Sequence, residues 1–190
     1  MNSFTVALLA ALTLCVLYGI ILYNRLVTLK HNVGMAWSNI DVLLKQRHDE
    51  LPKLVETCKQ YMRYERETLE AVMRARQAVA DAQQRGDLAK LGTAETQMRL
   101  GLGQLFAVAE AYPELRANDN FRHLEARITG LENAIADRRE FYNDSVNLNN
   151  VRIEQFPDVL IARLFAFEPF RLLEFAEKEK QDVNLAQLFR

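Results

Sequence analysis

The chain is poor in the residues that usually carry chemistry. It holds two cysteines and three histidines. Cys15 lies inside an apolar run and Cys58 well outside it, so the two are not expected to meet. That excludes a disulfide framework and makes no demand for an oxidising compartment. His31, His48 and His123 are far apart, and none has another His or a Cys at helical i+3 or i+4 spacing. A zinc or di-iron site on helices needs such clustering, so no metal ligand is nominated. Gly101 and Gly103 come without a lysine or a preceding strand, which excludes a phosphate loop. Ser3, Ser38 and Ser145 lack a His and an acid in any recognisable arrangement. The net charge is −1, and without a basic excess nucleic acid is not an expected partner. These absences nominate no catalytic residue and no cofactor, and the expectation is a non-enzyme.

One further absence says where the protein works. The first 24 residues contain no charged side chain. Within them residues 4–23, FTVALLAALTLCVLYGIILY, form an almost pure apolar run. Twenty residues of helix rise about 30 Å, the hydrocarbon thickness of a bilayer. A cleaved signal peptide would carry a basic n-region and a small-residue cleavage site, and neither is present. A lipoprotein signal would carry a small residue where bulky Leu14 precedes Cys15. A buried core helix rarely runs this far without a charge. The expectation is an uncleaved single-pass anchor in contact with the lipid bilayer. Arg25 and Lys30 follow the run with no basic side chain before it, so the positive-inside rule puts the N-terminus outside and the rest in the cytoplasm.

What remains suffices for one hydrophobic core. Apolar residues recur there at spacings of three and four, and no alternating run long enough for a strand competes. The first stretch reads Leu26, Leu29, Val33, Trp37, Ile40, Leu44, and the last reads Phe121, Leu124, Ile128, Leu131, Ile135, Tyr142, Val146, Ile153. The fold class is all-α: a transmembrane helix continuing into an antiparallel up-and-down bundle of about four long helices. The expected helices are 4–50, 53–84, 87–112 and 119–155. Pro52 predicts a break or kink near Glu50–Leu51. Gly86-Asp87 predicts a glycine C-terminus followed by an aspartate N-cap, Tyr112-Pro113 closes the third helix, and Asn118 or Asp119 caps the fourth. The core is expected to hold Trp37, Leu54, Leu102, Leu131 and Ile135. Three domains follow: an anchor at 4–23, a bundle at 24–156, and an irregular amphipathic segment with a charged tail at 157–190.

Some seam positions are polar: Glu65, Glu95, Arg138 and Asn149. If the third and fourth helices pair around a turn near residue 115, Glu95 comes within reach of Arg138. The alternative is that both snorkel to solvent. Beyond Pro157 the stretch 158–175 is dense in Phe and Leu, with Arg163, Glu168, Arg171 and Glu174 between them. It can fold back as a lid, meet a neighbouring subunit or meet the membrane surface. Leu164, Phe165, Phe167, Phe170, Leu172 and Phe175 are its interface candidates, and the mixed signs of its charges favour a neighbour, hence a homo-oligomer.

Several motifs together resemble the LemA family: Tyr23-Asn24-Arg25-Leu26-Val27, Ala36-Trp37-Ser38-Asn39-Ile40-Asp41-Val42, Leu51-Pro52-Lys53-Leu54-Val55, Ala111-Tyr112-Pro113-Glu114-Leu115, Asn118-Asp119-Asn120-Phe121, Tyr142-Asn143 and Phe156-Pro157. The resemblance runs in order from about Tyr23 to Phe170, with His48 and Cys58 departing from the family pattern. It implies a bacterial membrane protein with one N-terminal span and an antiparallel helical bundle, and it brings no catalytic residues; the expected location is the inner membrane. Three functions compete. The first is a membrane-anchored scaffold that self-associates through its long helices. The second is an adaptor that docks another membrane or envelope-stress protein, such as a protease. The third is an enzyme assembled between subunits around carboxylates such as Glu65 and Glu95.

Overall fold

The structure, a computed structural model, describes residues 2–174. Phe175 and the expected charged tail lie outside the described residues. Among the described residues every regular element is helical: α1 (Ser3–Lys59), α2 (Arg66–Arg85), α3 (Leu88–Ala109), α4 (Pro113–Ala117), α5 (Asp119–Glu154) and α6 (Asp158–Leu164). They divide between two compact units, one of residues 2–39 and 140–172 and the other of 40–139 and 173–174.

The second unit is an antiparallel bundle. Gln83 Nε2 donates to Asp41 Oδ1 at 2.7 Å, and Arg76 Nε donates to the His48 carbonyl at 2.9 Å. One residue number rises as the other falls, so α2 runs antiparallel to α1. Arg127 Nε to Glu50 Oε1 at 3.1 Å and Arg47 Nη1 to Glu132 Oε1 at 2.6 Å set α5 against α1 in the same sense. Helices α2 and α3 form a tight hairpin. Gly86 ends α2 with φ +64°, the left-handed conformation that glycine adopts without strain. Asp87 then caps α3 by accepting from the Lys90 amide at 3.1 Å. Fifteen residues beyond that turn, Gly101 stands against Val72, and a Cβ there would meet Val72 Cγ2 at 3.6 Å. Asn118 Oδ1 accepts from the Phe121 amide at 3.1 Å and caps α5 as its sequence suggests. Leu54, Leu102, Leu131 and Ile135 are all buried, together with Leu44, Leu51, Met98, Leu105, Phe121 and Ile128. Each fully buried Leu or Phe contributes roughly 1.5–3 kcal/mol.

The expected break at Glu50–Leu51 is absent. Helix α1 passes through Pro52 and ends at Lys59, and the chain turns at 60–65 instead. Proline cannot donate to the carbonyl four residues back, here that of His48, and such a loss in a helix interior costs about 3 kcal/mol or more. Two things offset it. The orphaned His48 carbonyl takes the Arg76 guanidinium from α2. The apolar face also runs on either side of the proline through Leu44, Leu51, Leu54, Val55 and Cys58, all buried. The real turn is plugged by buried Met62, whose amide reaches the Cys58 carbonyl at 2.8 Å.

In the first unit, the opening part of α1 is exposed from Ser3 through Tyr18. Further along, Leu22, Leu26, Val33 and Ala36 turn inward, and Leu26 packs in a cluster with Ile153 of α5 and Ala162 of α6. Trp37 is only half-buried; its ring meets Tyr142 edge-on, 5.7 Å between centroids. Helix α6 follows a cis Phe156–Pro157 bond and ends at Leu164; just beyond it the φ of +52° at Ala166 turns the chain, and the Phe167 amide reaches the Ala162 carbonyl at 2.9 Å.

Candidate functional site

The most polar point of the second unit is also one of its most buried. Arg47 of α1 is 1% exposed and faces Glu95 of α3, itself 5% exposed. Its Nη1 donates to Glu95 Oε2 at 2.9 Å and to Glu132 Oε1 of α5 at 2.6 Å, while Nη2 donates to Glu95 Oε1. This is a two-pronged guanidinium–carboxylate pair with a second carboxylate on its flank, joining three helices. Burial works against the charge on Arg47, but the two carboxylates more than restore it and hold its pKa above the ordinary value. Burial raises the pKa of Glu95 above the usual carboxylate range, opposed by Arg47. The side chain of Glu132 is 20% exposed, so part of the cluster reaches water.

Arg138 is not the partner that the seam pattern suggested for Glu95; it is exposed. A pairing drawn from helices three and four alone could not see that α1 supplies the guanidinium. Arg47 sits among Lys45, Gln46 and His48, and only its phase on the apolar stripe, three residues after Leu44 and four before Leu51, marks it as inward. Glu65, the other carboxylate singled out, is half-buried and accepts from the Tyr112 hydroxyl at 3.2 Å. Asn149 is buried and donates to Asn150 Oδ1 at 3.2 Å. Chemically the Arg47 cluster is a lock. Both Glu95 oxygens are engaged by one cation, the Arg47 guanidinium. Among the described residues no group of three or more His, Cys, Asp and Glu could hold a metal ion.

A groove of about 770 Å³ lies elsewhere on the same unit, between the end of α1 and the start of α2. Val55, Met62, Leu69 and Met73 form its floor, with Lys59, Arg63, Arg66 and Arg74 on its rim. Glu70 is the acid among its lining residues, and it is paired with Arg66 at 2.6 Å and Arg74 at 3.6 Å.

In the first unit the C-terminal segment folds back as a strap. Phe165 and Phe167 flank the Tyr23 ring, with centroids at 4.7 and 5.8 Å. Asn150 reads the backbone of Phe170 with both ends of its amide, Oδ1 accepting from the amide at 2.9 Å and Nδ2 donating to the carbonyl at 2.8 Å. The Tyr142 hydroxyl donates to the Arg171 carbonyl at 2.9 Å, and burial raises the pKa of that phenol. Of the interface candidates, Phe167 and Phe170 are therefore partly covered by the chain itself, while Leu164, Phe165 and Leu172 stay exposed. Phe175 lies outside the described residues. Tyr142 was legible only as a seam position, and nothing in the sequence singled out Asn150; eight residues apart on α5, they lie on the side where the strap docks.

Comparison with known proteins adds a family and distant relatives. The model of the LemA family matches residues 36–186. Magnetosome proteins MamQ 1 and MamQ 2 of Paramagnetospirillum magneticum are each 34% identical over 91 residues, 47% of this chain and 33% of theirs. The magnetosome protein MamQ of Magnetospirillum gryphiswaldense is 24% identical, over 86% of this chain and 68% of its own. The chain thus spans about a third of the length of the first two.

Proposed function

Because the chain belongs to the LemA family, we propose that it is a non-enzymatic, membrane-anchored helical scaffold that self-associates through its long helices at a bacterial inner membrane. Residues 4–23 would span the bilayer once, with the N-terminus outside and the bundle in the cytoplasm. The observation that carries the reading is α1 itself. One uninterrupted helix contains a stretch long and apolar enough to cross a membrane and, further on, the buried seam Ile40, Leu44, Leu51, Leu54. Arg25 and Lys30, the first charges after that stretch, support the orientation.

Self-association draws support from α5. Phe141 and Leu148, one heptad apart, are 52% and 55% exposed, as suits a helix face with a partner to find. The test is the mass of the full chain in mild detergent. A homogeneous oligomer that falls to monomer with Phe141→Glu and Leu148→Glu supports the reading, and a monomeric wild type defeats it. The adaptor reading, docking another membrane or envelope-stress protein such as a protease, has one observation in its favour: the apolar groove rimmed by Lys59, Arg63, Arg66 and Arg74. Co-purification of a second protein with monomeric chain would favour it.

A further inference from the structure

We propose that α6 lies in the membrane interface, with Phe156, Leu160, Leu164 and Phe165 in contact with lipid. This rests on the reading of residues 4–23 as the bilayer span. Helix α6 meets α1 at the last turns of that span. A Cβ placed on Gly19 would stand 3.8 Å from Ile161 Cδ1. Gly19 is four residues, or about 6 Å of helix rise, inside the end of the span at Tyr23. Phe165 and Phe167 hold the Tyr23 ring at 4.7 and 5.8 Å, and Ala162 shares a buried cluster with Leu26 one turn further out. These contacts fix the depth of α6 at the edge of the hydrocarbon.

The other side of α6 faces outward. Phe156, Leu160 and Leu164 recur every four residues, and they are 80%, 60% and 73% exposed, with Phe165 beside them at 53%. In water this would be a bare apolar face; at this depth lipid covers it. The charges agree. The acid of α6, Asp158, is buried with its carboxylate 3.8 Å from Arg152, so it is withdrawn from the outer face. Its cation, Arg163, is exposed, and its long stem lets the guanidinium reach the headgroups. An apolar face flanked by a cation suits an anionic lipid surface.

The test is spin-label accessibility in the full-length chain, reconstituted in vesicles of phosphatidylcholine and phosphatidylglycerol. The background is Cys15→Ser, and Cys58 stays unlabelled because it is buried and its thiol is pushed up to about 12. Single labels go at Leu160→Cys and Leu164→Cys, with Leu12→Cys as the span control and Leu100→Cys as the water control. The expected result is that positions 160 and 164 collide with oxygen more than with a water-soluble nickel chelate, as position 12 does, and position 100 shows the reverse. Labels at 160 and 164 that behave like 100 overturn the proposal while a lipid-like 12 preserves the span. If 12 also behaves like 100, the span reading falls with it. Labels at 160 and 164 shielded from both reagents, with spin–spin broadening between copies, assign the face to a second protomer and overturn the proposal.

Discussion

Replacing Arg47 by Met removes the cation that two carboxylates share. Methionine fills much the same space, so the loss is electrostatic rather than a cavity. Glu132 can turn to water, because a fifth of its side chain is exposed already. Glu95 cannot, at 5% exposure. Breaking a buried pair by deleting one partner costs about 3–5 kcal/mol. For a chain of this size that lowers the melting midpoint by roughly 6–20 °C. The Arg47→Met, Glu95→Met double variant removes both charges and should recover most of the loss, since apolar replacement of a buried pair is often neutral or stabilising. The pH dependence has a definite sign. Burial raises Glu95 above its ordinary range, and without Arg47 it must rise further. A carboxylate with a raised folded-state pKa favours the fold at acid pH and loses that contribution as pH rises through the folded-state value. The deficit of the single variant should therefore shrink toward acid pH. Circular dichroism melts of the full chain in detergent measure all of this. A single variant within 1 °C of wild type at neutral pH, or a double variant as unstable as the single, would refute the idea of a buried lock.

Three further outcomes follow from the packing. Arg76→Met orphans the His48 carbonyl and should cost about 1–3 kcal/mol, but clearly less when combined with Pro52→Ala, because the new amide takes that carbonyl; equal costs in both backgrounds would mean that Arg76 has another role. Leu131→Ala should cost about 2–5 kcal/mol, toward the lower figure because 8% of the residue is exposed, and an unchanged melt would put it on the wrong face. Cys58, with its thiol pushed up to about 12 by burial and by nearby Glu125, should resist alkylation at pH 8 in the folded chain and react once urea unfolds it.

Much of the fold was legible because its signals are local. The three-and-four spacing, the Gly86-Asp87 turn, the Asn118 cap and the stop at Phe156-Pro157 each act within a few residues of themselves. The misread turn failed for the opposite reason. Pro52 is a strong local breaker, and what overrides it is a guanidinium 24 residues away in sequence, on another helix. The turn at 60–65 has neither Gly nor Pro to announce it. The polar seam was half legible. Glu95 was recognisable as an inward carboxylate, but choosing between Arg138 and Arg47 requires knowing which helix lies across from it. The fold-back of the strap was one of three readings, and what ties it down, Asn150 and Tyr142 gripping backbone atoms at 170 and 171, has no side-chain pattern to read in advance.

The most direct measurement is the protection of the full chain in intact spheroplasts treated with external protease, followed by the mass and N-terminal sequence of what survives. The expected result is a bundle left whole by the protease, on a chain that still carries residues 4–23. Digestion of the bundle from outside would reverse the orientation, and a mature chain beginning beyond Leu22 would remove the anchor on which the scaffold reading depends.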